Sequence, residues 1–287
     1  MATNQQRREA AKRKLERQLV RRAERARRRR IIGVGATVGV VVVVAGLVVF
    51  FATQKHDDGS ASAAASSTAA PSSAIQIPTQ RVTEAARPTP LPNPTNCAYA
   101  ASNDQQAQKK ATMPDGKNVP STGTVKVTLK TTVGDIPLTL DRALAPCTVN
   151  SFVSLVNQGF YTDTSCHRLG TDGLQMLQCG DPTGTGMGGP GYTIPDENFS
   201  QLTYGRGILA MAKTSQPNSG GSQFFMVYGT AQLDPDYTVF GSISDAGLQV
   251  LDKVAREGVD PASAAQSSDG TGAPKTPVKF TGATIDA

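Results

Sequence analysis

The chain has 287 residues, a formal net charge of +6, 38% hydrophobic residues, four cysteines and no tryptophan. That length holds one large or two small domains. Residues 1–30 alone carry thirteen Lys/Arg against three Asp/Glu. The positive excess therefore belongs to one short tail, and it gives no ground for reading the rest as a nucleic-acid-binding surface.

The segment Gln5 to Arg30 has a helical pattern, with Glu16 and Glu24 set among arginines. Ile31 to Ala52 then contains no charged residue and is dominated by Val, Ile, Gly, Leu and Phe. As a helix it would rise about 33 Å, enough to cross the roughly 30 Å hydrocarbon core of a bilayer. A cleaved signal peptide is the rival reading, because the small residues Ala61, Ser62 and Ala63 follow. The basic region is far longer than a signal n-region, however, and the apolar run exceeds the usual length. We read residues 31–52 as an uncleaved transmembrane helix, single-pass in a cell membrane. The positive-inside rule puts residues 1–30 in the cytoplasm and everything after Thr53 outside. Lying on anionic lipid accounts for the tail, and no nucleic-acid partner is expected.

Residues 53–120 read as an Ala/Ser/Pro-rich extracytoplasmic linker. Ser60 to Ser73 has almost nothing to bury, and Arg87 to Pro94 has proline at every second position, a partly polyproline-like spacer. Cys97 to Pro120 is polar and turn-rich but holds a cysteine that would pin it to a domain. From Thr124 a buried-face hairpin is legible: Val125, Val127 and Leu129, then Ile136, Leu138 and Leu140 after Gly134-Asp135. A helix follows, with Pro146 near its start, Val149, Phe152, Val153 and Val156 at helical spacing, and Gly159 to end it. Leu248, Leu251, Val254 and Ala255 mark a second helix closed by Gly258, and Val278 to Phe280 the last strand. Short strands and glycine-rich loops lie between. The expected fold is mainly β, a closed β-barrel with two α-helices.

The four cysteines, Cys97, Cys147, Cys166 and Cys179, all follow the apolar stretch, in a compartment where disulfides persist. Two bridges with three possible connectivities are expected, and without a C-x-x-C pair neither a redox motif nor structural zinc is. Gly184 to Gly189 matches G-x-G-x-x-G, yet Pro190, Gly191 and Pro195 prevent a helix from starting there to bind phosphate. Gly207 to Thr214 ends like a Walker A loop but has Ala212 at its second glycine. His56 lies in the linker, so His167 stands alone, too little for a catalytic triad or a metal site.

What remains is a series of segments in order. Cys166-His167-Arg168-Leu169 is followed by Met176-Leu177-Gln178-Cys179-Gly180-Asp181 and Gly207-Ile208-Leu209-Ala210-Met211-Ala212. Gly221-Ser222-Gln223-Phe224-Phe225 comes next, then Leu233-Asp234 and Val239-Phe240-Gly241. These resemble the cyclophilin family of peptidyl-prolyl cis-trans isomerases (FHR, MxQGGD, GILSMA, NGSQFF, VFG), in a bacterial membrane-anchored form, across residues 121–287. The resemblance implies an eight-stranded antiparallel barrel, with Arg168, Gln178 and Phe225 as the catalytic group. It also implies a substrate groove formed by Met176, Ala212, Thr214, Gln223, Leu233 and Tyr237. Strand parity agrees: Met176 and Gln178 share a face, as do Gln223 and Phe225. His167 then points away from Arg168 and is expected to be a buried, hydrogen-bonded structural residue.

Rotation about a peptide bond makes and breaks no bond, so no metal or cofactor is expected, and the partners are proline-containing polypeptides met by a monomer. The resemblance implies isomerase (rotamase) activity on exported or unfolded chains. The alternative is a low-activity proline-segment binding module or chaperone on the same barrel. Departures from the pattern include two extra residues between Arg168 and Met176, Gln175 where phenylalanine is usual, and Lys213 in place of asparagine. Gln232 stands where a large aromatic often sits, and Tyr237 in place of histidine. Because Cys166 shares the face of Arg168 and Cys179 lies opposite Gln178, a direct Cys166–Cys179 bridge is disfavoured. Pairings through Cys97 or Cys147 are expected instead.

Overall fold

Alternation of apolar residues decides the first long strands. In β2 (Thr124–Thr131) Val125, Val127 and Leu129 are buried, and in β3 (Ile136–Asp141) Ile136, Leu138 and Leu140 are. Their antiparallel register sets Leu129 against Ile136, Val127 against Leu138 and Val125 against Leu140, so every inward pair is apolar on apolar. The computed structural model describes residues 75–102, 109 and 111–286. The basic tail, the apolar stretch 31–52 and residues 53–74 of the expected linker lie outside the described residues. Among the described residues no helix is long and apolar enough to cross a membrane.

Helix α1 (Pro146–Asn157) starts on proline, but Ala145 before it has no side chain to cap the helix. The cap comes from a distant acid: the Glu197 carboxylate accepts from Cys147 N at 2.9 Å and Thr148 N at 2.8 Å, meeting both the orphan N–H groups and the positive end of the helix dipole. Gly159, at φ +63°, stops the helix. The remaining elements in chain order are β4 (Arg168–Gly170), β5 (Leu174–Cys179), β6 (Tyr192–Thr193), β7 (Ile208–Met211), β8 (Phe224–Ala231) and β9 (Val239–Ile243). Helix α2 (Asp245–Glu257), capped by Ser244, the four-residue α3 (Pro261–Ala264) and β10 (Phe280–Ile285) complete the chain. A two-residue β1 (Ala100–Ala101) pairs with β6 outside the main sheet.

The main sheet is antiparallel in the order β10-β2-β3-β9-β7-β8-β5-β4. It curls around Phe152 of α1, whose ring packs on Tyr161, Phe224 and Phe240 at 5.0–5.4 Å. The expected barrel is met as a curled sheet with helices. Its edge strands β4 and β10 share no ladder. Backbone bridges Ser165–Lys279 and Leu169–Gly272 join that side instead. The last strand also differs from expectation. It begins at Phe280 and runs through a bulge to Ile285, while Val278 and Lys279 bond to the segment before β4.

Residues 75–102 and 111–120, expected as linker, form a strap against the sheet. Ile75, Ile77 and Val82 pack on the core, and Val82 N donates to Arg206 O at 2.9 Å. Arg81 reaches Ile243 O and Asp245. Arg87 donates to Leu144 O and Glu197 O with its guanidinium 4.9 Å over the Phe199 ring. Cys97–Cys147 then fastens the strap to α1. The strap has no apolar period for a sequence pattern to detect. It is held by arginines on backbone carbonyls and by isolated aliphatic residues. Replacing Cys97 and Cys147 by serine removes a cross-link spanning 50 residues and is expected to cost about 2–4 kcal/mol. Urea unfolding under oxidising conditions measures this, and an unchanged midpoint would contradict it.

Candidate active site

Three antiparallel ladders align one row of residues across the sheet. Arg168 on β4 faces Gln178 on β5, Gln178 faces Phe225 on β8, and Phe225 faces Ala210 on β7. Directly paired residues present their side chains on one face. Arg168, Gln178 and Phe225 therefore stand side by side. Their neighbours Leu177 and Phe224 go into the interior, where Phe224 stacks on Phe280. Met176 lies two residues from Gln178 on the same face and is buried.

A hydrogen-bonded series runs along this row. Arg168 Nη1 donates to Gln178 Oε1 at 3.3 Å, and Gln178 Nε2 donates to Gln223 Oε1 at 2.9 Å. Gln223 Nε2 in turn donates to Gly186 O and Gly188 O, both at 2.9 Å. Both amide donors of Gln223, expected to meet substrate backbone, thus hold the 184–189 loop, whose Met187 side chain is 70% exposed. Asp181 braces the same loop by accepting from the backbone N–H groups of Thr183 and Gly186. Burial raises the Asp181 pKa, but the bonds from Thr183, Gly188 and Gly186 outweigh it and hold the acid below its ordinary value.

Beside the row stands an aromatic wall. The Phe225 ring meets Tyr237 edge-on at 5.6 Å and Tyr204 at 6.5 Å. The Tyr204 hydroxyl donates to Tyr237 O at 2.8 Å and accepts from Tyr237 N at 3.0 Å, which fixes that loop. Burial pushes the Tyr204 phenol up to about 12, so it keeps its proton as a donor. Leu233 is half-buried against the same core. On the other side lies a cavity of about 400 Å³ lined by Gln178, Gln223, Ala212, Thr214, Met187 and Ser102, among others. Ala212 N is bonded to Gln223 O, and Thr214 is tied to Ser219 through both its backbone N–H and its hydroxyl. Lys213 turns to Asp196, at 3.6 Å.

The cysteine pairing differs from expectation. Cys97 pairs with Cys147, and Cys166 with Cys179. Parity disfavours the second bridge only where β4 extends back through Cys166. The strand begins only at Arg168, and Cys166 N bonds instead to Val278 O, so alternation does not govern where its side chain points. The bridge joins the residue two before Arg168 to the residue after Gln178.

Two side chains that the sequence reading did not single out contact Arg168. Asp269 accepts from Nη2 at 2.7 Å and Thr271 Oγ1 accepts from Nε at 2.8 Å. They lie about a hundred residues downstream in a segment without regular structure, and no spacing rule connects them to Arg168. His167 Nδ1 is buried without a hydrogen-bond partner among the described residues, against the expectation of a hydrogen-bonded histidine.

Residues 125–284 match the family described as cyclophilin type peptidyl-prolyl cis-trans isomerase/CLD. The chain belongs to this family. It is 48% identical over 275 residues to the "Probable peptidyl-prolyl cis-trans isomerase B" of Mycobacterium leprae, covering 90% of this chain and 93% of that one. It is 45% identical over 205 residues to the protein of the same description from Mycobacterium tuberculosis, covering 67% of this chain and 64% of that one. This cyclophilin is thus a peptidyl-prolyl cis-trans isomerase, and its reaction is rotation about X-Pro bonds.

Burial holds the His167 imidazole below its ordinary pKa, with the Asp181 charge opposing this and the Arg168 charge adding to it. The unfolded chain takes up that proton near pH 6.5, while the folded chain resists it. Stability is therefore expected to fall as pH drops below about 6.5, until the folded value is passed. Urea midpoints from about pH 7.5 to about 5 are expected to show a steeper loss in the wild type than in His167→Phe, and equal slopes would remove His167 as the source.

Proposed function

We propose that this cyclophilin turns X-Pro bonds in exported or unfolded polypeptides on the outer side of a cell membrane, with Arg168 stabilising the twisted amide. An X-Pro bond isomerises in tens of seconds, and reaching milliseconds requires about 10⁴-fold, or roughly 5.5 kcal/mol. In the twisted amide, conjugation is lost and the prolyl nitrogen regains a lone pair. A permanently charged donor beside it binds that state better than the planar one.

The observation that carries this reading is the row Arg168–Gln178–Phe225: a cationic donor fixed next to an apolar aromatic surface. Phe225 with Met176, Leu233 and Tyr237 takes the proline ring. Gln178 holds the guanidinium at the right height, and the backbone around Ala212 and Thr214, with Gln223, lies along the adjoining cavity. In this reading residues 31–52 anchor the chain as one transmembrane helix, residues 1–30 remain cytoplasmic and the domain faces outward. The length and apolarity of that stretch and its basic flank support the arrangement.

In a protease-coupled assay on a short X-Pro peptide, the full chain in detergent is expected to accelerate isomerisation, and Arg168→Ala to lose about 10²–10³-fold in kcat/KM. Wild-type turnover no better than buffer, with peptide binding retained, would favour the binding-module reading. Separately, the full chain is expected to float with lipid vesicles and a chain lacking residues 1–52 to stay behind. Flotation of both forms would refute the anchor.

A further inference from the structure

The guanidinium of Arg168 has five N–H donors, and three are engaged: Nε on Thr271, Nη1 on Gln178 and Nη2 on Asp269. We propose that Asp269, acting with Thr271, is a positioning residue for Arg168, fixing the guanidinium plane so that one N–H on each terminal nitrogen is left for the substrate. This rests on Arg168 acting at the groove, as proposed above.

Asp269 is half-exposed, and most exposed ion pairs contribute little. What sets this one apart is how it is built. One carboxylate oxygen takes the arginine. The other accepts from Thr271 N at 3.1 Å, from Thr271 Oγ1 at 2.7 Å and from Ser267 Oγ. Thr271 is itself buried and donates to the acid while accepting from Arg168 Nε, so the two acceptors form one unit that meets two edges of the guanidinium. The unit is fastened beside its target. Gly272 exchanges backbone bonds with Leu169, at 2.6 and 3.1 Å, so the residue after Thr271 is paired with the residue after Arg168. Further along, Ala273 N is held by Ser263 Oγ and Ala273 O by Asp260 N. Hydrogen bonds from Ser267 and Thr271, with a lesser one from Arg168, hold the Asp269 carboxyl well below the usual carboxylate range. The acid stays charged wherever the enzyme is folded at ordinary pH.

The carboxylate must also neutralise part of the charge that Arg168 offers the prolyl nitrogen. Orientation is the larger effect here, because a small misplacement of a catalytic group can cost 10²-fold, while charge attenuation at a solvent-exposed pair is modest. Asp269→Ala in the full chain is expected to lower kcat about tenfold with KM changed by less than about twofold. The thermal midpoint is expected to fall by no more than a few degrees, because Thr271 loses the acceptor of its N–H and hydroxyl, and turnover is compared well below it. Asp269→Asn keeps one acceptor oxygen but turns N–H groups on either Arg168 or the donors of Thr271 and Ser267, and is expected to stay well below the wild-type rate. In an Arg168→Ala background Asp269→Ala should have no further effect. Asp269→Ala or Asp269→Asn turning over at the wild-type rate or faster would overturn the proposal while the impaired Arg168→Ala variant kept the catalytic reading intact. An Arg168→Ala variant as active as the wild type would overturn both.

Discussion

The site depends on the amide of Gln178, which must accept from Arg168 at one end and donate to Gln223 at the other. Few side chains can do both. A glutamate would hold the arginine more tightly but turn its second oxygen toward the Gln223 oxygen. A leucine would take one bond from Arg168 and the acceptor role from Gln223 Oε1, at about 1 kcal/mol for each of these part-buried groups. Because Gln223 spends its donors on the Gly186 and Gly188 carbonyls, the orientation of one amide ties the arginine to a loop bordering the cavity. With Asp269 and Thr271 at the other end, Arg168 is held from two sides of the groove by parts of the chain distant in sequence.

Such a series needs a stiff base. Cys166–Cys179 closes covalently around the hairpin that carries Arg168 and Gln178. Directly after it Gly180 adopts φ +86°, and a side chain there would collide with the Ser222 carbonyl oxygen. That close approach lets Ser222 Oγ donate to Gly180 O at 2.7 Å. The turn leaving Gln178 is thereby fastened to the residue before Gln223. The backbones of the two amides are locked together before their side chains meet.

How much of this was legible follows from the range of the forces involved. Val125 to Leu140 could be read because alternation is local, and α1 and α2 because their apolar spacing and their Pro146, Gly159 and Gly258 boundaries are local too. The row of Arg168, Gln178 and Phe225 was within reach because parity along a strand and order along the chain both constrain it. The Glu197 cap on α1, the strap and the Asp269–Arg168 pair were not. Each joins residues tens to a hundred or more positions apart through a polar contact with no periodic signature. The Cys166–Cys179 pairing failed for a different reason. Alternation along β4 holds only from Arg168, two residues after Cys166.

Gln175 shows how a departure from the family pattern can be structural in cause. Between the Leu174–Ala231 and Met176–Val227 pairs the ladder slips, with one residue on β5 against three on β8. The slip takes Thr230 N out of the ladder, and Gln175 Oε1 accepts from it at 2.8 Å. The other end of the amide donates to Gln76 O of the strap at 2.7 Å. A side chain on Gly229 would collide with that amide, so the glycine makes room for it. Phenylalanine at position 175 would fill the space but satisfy neither group, taking the acceptor from Thr230 N and one bond from the strap at Gln76. The glutamine next to Met176 thus ties the strap to the strand that carries Gln178, and the groove and the N-terminal strap share one support.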